Sequence, residues 1–259
     1  MISILTVNFH SAADVAGLAA ALAPDRAAAA LELIVVNHSP REPLALPPDW
    51  AGASRVIDQQ NRGFAAGINA AARVARGETL AIVNPDVRLG VAALQAAERF
   101  LADHPDVGVV APRLLYPDGR VQPSVRRFYS WSTALWARSP MRMAGWEPAF
   151  FRDYLRPAVS ETGPSDVDWA MGAALFLRRA DYPSGEIFDE RFFLYFEDVD
   201  LCYRAWRAGR RVVHCPHITA VHAHRRRSAR PFGRHGRYHL TSWLKFMLKH
   251  GGLPGRPGG

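Results

Sequence analysis

Cysteine, lysine and long apolar runs are the scarce features of this 259-residue sequence. Its only cysteines, Cys202 and Cys215, are not spaced as a metal knuckle or a CxxC redox pair, so we expect two free thiols. The longest nearly apolar stretch, WAMGAALFL, is far shorter than the roughly 20 residues that cross a bilayer. The sequence also lacks a basic leader followed by a long apolar segment and a small-residue cleavage site, which favours a cytoplasmic protein.

Positive charge is plentiful, with a formal net charge of +8, but it comes almost entirely from arginine because Lys245 and Lys249 are the only lysines. Six arginines cluster near the C-terminus: Arg225, Arg226, Arg227, Arg230, Arg234 and Arg237. Such a cluster suits an anionic membrane surface, a diphosphate-bearing ligand or nucleic acid, and a solvated tail is the alternative interpretation. No nucleic-acid-binding motif accompanies the cluster, so we expect no nucleic-acid partner.

Apolar strand-like runs alternate with alanine-rich helical stretches in the first half of the chain, a pattern typical of a mostly parallel sheet flanked by helices. The predicted strands are ISILTVNF, LELIVVN, SRVIDQ, TLAIVNP and VGVVAP, and the predicted helices are Asp14 to Ala23, Gly63 to Ala75 and Gly90 to His104. Hydrophobic residues make up 49% of the chain, enough to supply the core of one substantial α/β domain.

The alternation breaks down from Phe128 to Asp166, where tryptophans, arginines and prolines are scattered. These aromatic residues either form an acceptor-binding or membrane-contacting surface or cap the core. Strand patterns then return in VDWAMGAALFLRR and RRVVHCP. A helix is predicted after FFLYF, with Gly209 as its end.

Polar residues follow several predicted strands, at the carboxyl ends where ligands bind in doubly wound sheets. Asn37, Asn61 and Asp86 occupy such positions. In the stretch LAIVNPD, a turn explains Asn, Pro and Asp as well as a site does. A carboxylate at this position is also a ligand for Mg²⁺ or Mn²⁺, which in turn binds a diphosphate.

The stretch QNRGFAAGINAA contains two glycines that permit a tight loop, Gly63 and Gly67, and two amides that suit a base, ribose or phosphate, Asn61 and Asn69. It matches neither GxGxxG nor a Walker loop, so neither a dinucleotide site nor an ATPase is supported. An ordinary helix N-terminus is the alternative.

The acidic stretch FEDVD places Glu197, Asp198 and Asp200 at the start of a predicted helix. Capping and the helix dipole explain one or two acids there, whereas three acids in four positions after an aromatic-rich strand exceed what capping requires. A carboxylate in aromatic surroundings acquires the basicity of a general base. Downstream, VHAH offers His222 and His224, which alternation places on one side of a strand.

Taken in order, these segments resemble the inverting glycosyltransferases of the GT-A fold, in the bacterial rhamnosyltransferase-like branch. The resemblance covers nearly the whole chain and is carried by SILTVNFHS, VVNHS, NRGFAAGIN, NPDV, PRLLYPDGRVQPSVRRF, VDWAMGAALFLRR, FDERFFLYFEDVDLCYRAWRAGRRV and VHAHRRRS. It implies one Rossmann-like domain over residues 1–259. Within it, residues 1–112 form a nucleotide-sugar-binding half, residues 113–225 an acceptor and catalytic half, and residues 226–259 a basic tail.

The resemblance also implies roles for individual residues. Asp198 becomes the base that deprotonates the acceptor, with Glu197 as the second choice, and Asp86 and His222 become ligands of Mg²⁺ or Mn²⁺. The implied acceptor-binding positions are Trp169 and Gly172. The implied nucleotide-sugar positions are Thr6, Asn8, Asn37, Asn61, Arg62, Asn69, Asn84 and Asp86.

Two departures from the family pattern concern the donor. Asn37 stands where the family usually has the aspartate that contacts the nucleobase, and Asn84 replaces one of the two acids of the metal motif. The implied reaction is inverting transfer of L-rhamnose from dTDP-L-rhamnose to a polysaccharide or lipid-linked glycan, with peripheral contact at the inner face of the cell membrane. The alternatives are a UDP-activated galactofuranose or hexose as donor, and a non-catalytic nucleotide-sugar-binding paralogue.

Overall fold

The chain alternates strands and helices through its first half and then adds shorter strands, as the computed structural model of residues 1–139, 141, 146–155, 157–223 and 234–253 describes. The strands are β1 (Ile2–Asn8), β2 (Leu31–Asn37), β3 (Ser54–Asp58), β4 (Thr79–Val83), β5 (Val87–Arg88), β6 (Val107–Leu115), β7 (Val125–Arg126), β8 (Ser165–Asp166), β9 (Trp169–Ala170), β10 (Ala174–Arg178) and β11 (Arg211–His222). The helices are α1 (Ala12–Leu22), α2 (Phe64–Val74), α3 (Val91–Asp103), α4 (Trp131–Arg138), α5 (Ala149–Leu155), α6 (Glu197–Arg207) and α7 (Arg234–His250).

The large sheet within these residues has the strand order β3-β2-β1-β4-β10-β6-β11-β5, with β8 paired to β11. Strands β1, β2, β3 and β4 run parallel to one another, whereas β10 is antiparallel to both β4 and β6. After β3 the chain returns past β1 to form β4 on its other side, which makes the boundary between β1 and β4 a topological switch point. In such sheets a crevice for ligands forms at the carboxyl ends of the strands beside this point.

Helices cover both faces of the sheet, because neighbouring residues of a buried strand point to opposite sides. Helices α1 and α3 pack on one face through Leu18 and Leu94, and helices α2 and α6 pack on the other through Ile68 and Leu201. Gly67 permits the close contact of α2 with β1, since a Cβ there would lie 2.7 Å from Cγ2 of Val7. The parallel strands β1, β2 and β4 are buried on both faces, which explains their nearly continuous apolar sequence.

The predicted helices of the first half are confirmed with ends shifted by one or two residues, and so is the helix before Gly209. One strand prediction was wrong. VDWAMGAALFLRR forms two strands, because β9 pairs with β7 in a separate two-stranded sheet before the chain turns at residues 172–173 into β10.

Two regions without a secondary-structure prediction contain helices. Helices α4 and α5 lie in the unassigned segment after Phe128, and α7 lies in the predicted basic tail. Helix α7 is docked, since Phe246 has no exposed surface. The arginines of the cluster at positions 225, 226, 227 and 230 lie outside the described residues, and so does His224. Across the described residues, no helix combines the length and apolar character needed to cross a membrane.

Both cysteines are buried and free, as the sequence predicts. Burial raises the pKa of the Cys202 thiol and of the Cys215 thiol to about 12, so both thiols stay protonated at neutral pH. Because the thiolate is the reactive form of cysteine, these residues serve as small apolar groups in the core.

Candidate active site

Asp86 and His222 come together although 136 positions separate them in the sequence, because β5 pairs with the end of β11 just after β4. Nε2 of His222 lies 3.5 Å from Oδ1 of Asp86. The imidazole is buried, and its Nδ1 lies 2.8 Å from Oε1 of Gln122, which is buried as well. Since an amide oxygen only accepts, Nδ1 donates to Gln122, and Nε2 faces Asp86.

This pair fits a divalent cation in the chemistry of its donor atoms. A carboxylate oxygen and an imidazole nitrogen both bind Mn²⁺, and a metal-binding histidine usually donates its other ring N–H to a neighbouring acceptor, as His222 does to Gln122. No cluster of three or more His, Cys, Asp or Glu suitable for a metal occurs among the described residues. Asp86 and His222 would thus be two protein ligands of such an ion.

A row of polar side chains lies across the carboxyl ends of the first three strands, where Asn8, Asn37 and Asp58 are neighbours in register. Nδ2 of Asn8 donates to Oδ1 of Asn37 at 2.8 Å, and Nδ2 of Asn37 donates to Oδ1 of Asp58 at 2.7 Å. Asn8 and Asn37 are buried, whereas Asp58 is exposed. The row therefore ends in an accessible carboxylate.

The start of α2 is built by a local turn and a close backbone contact. Oδ1 of Asn61 accepts from the Gly63 N–H at 2.9 Å, and the Phe64 N–H donates to the Phe193 carbonyl at 2.9 Å. Gly63 has φ of +100°, and a Cβ there would lie 2.3 Å from that carbonyl oxygen. Arg62 is exposed and pairs with Glu190 at 3.2 Å. The motif thus joins the donor half of the chain to the loop before α6.

Three predicted donor residues differ in their access to a ligand. Asn69 has no exposed surface, and its amide bonds the Phe188 carbonyl at 2.8 Å and the N–H groups of Ile187 and Phe188. Asn69 thus bonds the loop that contains Ile187 and Phe188, and its predicted contact with the nucleotide stays a prediction. Thr6 is also fully buried, and its hydroxyl has no partner. Asn84, by contrast, is partly exposed beside Asp86.

The carboxylate of Asp198 is held at the start of α6. Its Oδ2 accepts from the Gly172 N–H at 3.0 Å, and its Oδ1 accepts from the Val199 N–H at 2.9 Å. The preceding Tyr195 and Phe196 both have left-handed φ angles of +68° and +69°. Such angles cost roughly 1–3 kcal/mol each in a residue with a side chain and are concentrated at functional sites.

Glu197 and Asp198 are adjacent in sequence but differ in environment. Glu197 is buried, and its Oε2 has no partner, whereas Asp198 is partly exposed. Burial and the neighbouring Asp198 charge raise the pKa of Glu197 well above its usual range. Burial also raises the pKa of Asp198, but the Gly172 and Val199 N–H groups and the Arg126 charge oppose that rise. Of the two, Asp198 is therefore the accessible carboxylate that ionises more readily.

The third acid of the stretch has a structural task. Asp200 has no exposed surface and is surrounded by three basic side chains: Arg204 at 2.8 Å, Lys249 at 2.7 Å and His250 at 2.7 Å. Lys249 and His250 belong to α7, so Asp200 fastens that helix to α6.

Aromatic side chains and one guanidinium form the wall beside Asp198. Arg126 pairs in register with Trp169, and its Cζ lies 5.2 Å from the Trp169 ring and 5.9 Å from the Tyr154 ring. Its Nε is buried without a hydrogen-bond partner. Trp169 itself is buried and donates its indole N–H to the Arg127 carbonyl at 2.8 Å. The structure thus brings Trp169, Gly172 and Asp198 into one region, as the resemblance implies.

Three residues of this cleft were missed by sequence reasoning: Asp58, Gln122 and Arg126. Asp58 ends a predicted strand next to one that ends in Asn37, which is a signal of the same kind as those used for Asn37 itself. Gln122 and Arg126 lie in GRVQPSVRRF, where nothing local distinguishes them from surface residues. Their roles depend on contacts with strands formed much later in the chain.

Comparison with known proteins identifies the class. The chain matches the family described as glycosyl transferase family 2 over residues 27–158, just over half of its length, and it belongs to that family. Its sequence is similar to N-acetylglucosaminyl-diphospho-decaprenol L-rhamnosyltransferase of Mycobacterium tuberculosis, with 29% identity over 180 residues. That alignment covers 66% of this chain and 55% of the relative, so the chain spans about half the length of that protein.

Solved structures agree on the architecture. Mannosyltransferase PcManGT from Pyrobaculum calidifontis, in complex with GDP-Man and Mn²⁺, has a TM-score of 0.60 at 19% identity, covering 98% of this chain and 65% of that one. GalNAc-T7 with UDP, GalNAc and Mn²⁺ has a TM-score of 0.64 at 13% identity, covering 96% of this chain and 48% of that one. At these identities the likeness concerns the fold alone, and it confirms the predicted GT-A fold.

Proposed function

We propose that this protein transfers a sugar from a nucleoside diphosphate donor to a hydroxyl group of an acceptor, with inversion at the anomeric carbon. The observation that carries the proposal is the placement of Asp198. Its partly exposed carboxylate lies at the start of α6, held by the Gly172 and Val199 N–H groups, in the same GT-A frame that holds Asp86 and His222. A base and a diphosphate site are what a single displacement at a sugar carbon needs.

Asp198 acts as the base of this reaction. It accepts the proton of the acceptor hydroxyl as the oxygen attacks the anomeric carbon, and the bond to the diphosphate breaks on the opposite side. Positioning of the two substrates removes the entropy cost of bringing them together. Burial and the neighbouring Asp198 charge raise the pKa of Glu197 well above its usual range, which favours the protonated form of the carboxyl group behind the base.

Asp86 and His222, which lie 3.5 Å apart, would hold a divalent cation, and Gln122 would fix the imidazole for that task. When bound, the cation neutralises charge on the diphosphate as that group departs. The Mn²⁺ in the structures of PcManGT and GalNAc-T7 supports dependence on a divalent ion in general. Whether Mg²⁺ or Mn²⁺ serves this chain is decided by the assay below.

The donor is dTDP-L-rhamnose and the acceptor is a lipid-linked glycan. The support is the name of the Mycobacterium tuberculosis relative, which transfers L-rhamnose to a diphospho-decaprenol acceptor. Asn8, Asn37, Asn61, Asn84 and Asp86 lie at the donor end of the cleft, with Arg62 at its exposed rim. Trp169 and Gly172 lie at the acceptor end beside Asp198.

A peripheral contact with an anionic membrane surface accompanies this acceptor. Helix α7 contains no acidic residue and exposes Leu240, Leu244 and Leu248, one helical turn apart, with Arg237 and Lys245 also exposed. Leucines next to cations on one helix are typical of segments that lie in the membrane interface. Co-sedimentation with anionic liposomes tests the contact, and Leu244→Asp should weaken it. Failure of the unaltered protein to bind at low salt would exclude it.

The test of the transfer reaction is a donor screen with purified protein. dTDP-L-rhamnose, UDP-galactofuranose and UDP-hexoses are offered with a lipid-linked acceptor, each with Mg²⁺, with Mn²⁺ or with a chelator. We expect transfer from dTDP-L-rhamnose that the chelator abolishes. Transfer from a UDP-sugar alone would replace the donor assignment, and binding of donors without transfer to any acceptor would support a non-catalytic nucleotide-sugar-binding protein.

A further inference from the structure

The row of side chains across β1, β2 and β3 is joined by hydrogen bonds that all run from donor to acceptor in the direction of Asp58. The Ser11 N–H and hydroxyl both donate to Oδ1 of Asn8 at 3.0 Å, Asn8 donates to Asn37, and Asn37 donates to Asp58. Each amide is oriented by the bond that it accepts. The last member, Asp58, therefore has a fixed carboxylate at the carboxyl edge of the sheet.

Asn37 is unsuited to recognising a ligand, because its amide is already used. Its Oδ1 accepts from Asn8 at 2.8 Å and from the Ser39 N–H at 3.1 Å, its Nδ2 donates to Asp58, and only 4% of the residue is exposed. Asp58 differs on both points. It is exposed, and it accepts this bond through Oδ1, with Oδ2 as its second acceptor oxygen.

The position of Asp58 relates it to one end of a bound donor. Asp86 and His222 lie beside the end of β4, and β1 and β2 separate β4 from β3 in the sheet. A nucleoside diphosphate whose phosphates lie near Asp86 extends along the carboxyl edge toward β3, since ligands of such sheets occupy the crevice outside these strand ends. The base is the part of the donor that reaches this end.

We propose that Asp58 recognises the nucleobase of the donor by accepting its imino N–H, with Asn37 and Asn8 as positioning residues. The inference rests on the proposed function, since it assumes a nucleotide donor. Thymine and uracil present N3–H to such a carboxylate, and guanine presents N1–H. Cytosine presents an unprotonated N3, which repels the carboxylate. The site thus favours bases with an imino proton.

The experiment measures nucleotide affinity by calorimetry, apart from catalysis, with the full chain in excess Mn²⁺. The ligands are dTDP, UDP, CDP and 3-methyl-UDP, which lacks the imino proton. We expect the unaltered protein to bind dTDP or UDP about 10- to 100-fold more tightly than 3-methyl-UDP, as for a hydrogen bond to a charged group. Asp58→Asn should lose most of this preference, and its affinity for CDP should approach that for UDP.

Asp58→Ala is the second variant, and Asp103→Asn is the matched control. Asp103 is also exposed but ends α3, next to the amino end of β6 and thus at the opposite edge of the sheet. The control should bind every ligand as the unaltered protein does. If both Asp58 variants retain full affinity and base preference, the assignment of Asp58 is wrong while the proposed function stands. If the unaltered protein binds no nucleoside diphosphate, the proposed function fails and the assignment with it.

Discussion

The two ends of the cleft use polar groups in opposite ways. At the donor end, neutral amides bond one another, so that Asn8 and Asn37 are paired before any ligand arrives. At the acceptor end, ionisable groups have buried atoms without a hydrogen-bond partner, as for Oε2 of Glu197 and Nε of Arg126. Amides do not titrate, whereas the protonation of buried carboxylates depends strongly on their surroundings. The donor end should therefore set binding, and the acceptor end should set the pH dependence of the reaction.

The largest effect is expected for Asp198→Asn, which removes the proposed base and leaves the donor end unchanged. General base assistance is worth about 10²- to 10⁴-fold, so the transfer rate should fall by that factor. The affinity for the donor nucleotide, measured by calorimetry, should stay the same. Transfer at the normal rate would show that another group accepts the proton.

The next effect concerns the metal and should leave the acceptor end intact. Gln122→Leu removes the acceptor of the His222 N–H, and loss of such a partner typically lowers metal affinity about 10- to 100-fold. Electron paramagnetic resonance of Mn²⁺, titrated in the presence of nucleotide, measures this affinity directly. Gln122→Glu retains an acceptor oxygen and should restore most of it.

A second glutamine and histidine pair provides the control for this change. Nε2 of Gln59 lies 3.3 Å from Nε2 of His38, at the end of β3. Gln59→Leu should leave Mn²⁺ affinity unchanged. Equal losses in the two leucine variants would show that the Gln122 effect is a general consequence of a lost hydrogen bond, and would contradict its role toward His222.

The sequence predicts the residues at strand ends better than the contacts between distant segments, and the physical reason is locality. Strands β1, β2 and β4 are nearly continuous apolar runs, so the positions of Asn37 and Asp86 at or just after their ends can be read from the pattern. The contact of His222 with Gln122 joins residues 100 positions apart, which the pairing of β11 with β6 brings together, and it leaves no local signal. The burial of Asn69 depends on a loop that packs over α2, and helical periodicity cannot reveal that loop.

The acceptor end can be perturbed through its charge. Arg126 lowers the pKa of Asp198, so Arg126→Met should raise that pKa further. A base works only when ionised, and the acidic limb of the activity profile should therefore move to higher pH. Each unit by which the pKa of Asp198 rises should lower the rate about tenfold at pH values on that limb, with little effect at higher pH. The profile of kcat/KM against pH measures the shift.

Arg127→Met is the neighbouring control for Arg126. Arg127 lies 3.8 Å from Asp153 and 3.9 Å from Asp168, and its side chain is 42% exposed. Its removal should leave the acidic limb in place. A uniform loss of activity at every pH in Arg126→Met would indicate damaged acceptor binding rather than an altered base.

Glu197→Gln distinguishes the roles of Glu197 and Asp198, because it should change the pH dependence of the stability of the fold while activity persists. The pKa of Glu197 lies well above its ordinary value of 4.5 in the folded state. Between these two values the unfolded chain binds fewer protons than the folded one, so stability falls as pH rises. Glutamine does not ionise, so the variant does not lose stability in this way. Thermal unfolding should show that the variant is more stable than the unaltered protein at pH 8, and this difference in stability should shrink toward pH 4. Activity should persist. A loss as large as that of Asp198→Asn would make Glu197 the base.

The smallest effect is expected at Gly172, although it touches Asp198. A Cβ there would lie 3.5 Å from Cβ of Asp198 and 3.7 Å from its Oδ2, which are ordinary contacts, and no positive φ constrains the residue. Gly172→Ala should therefore change the free energy of unfolding by no more than about 0.5 kcal/mol and keep donor affinity unchanged. The KM for the acceptor should rise, because the added methyl group occupies space beside the base.

Gly63→Ala is the contrasting variant, since its Cβ would collide with the Phe193 carbonyl and destabilise the fold. Unchanged acceptor kinetics in Gly172→Ala would show that the acceptor does not approach Asp198 from this side.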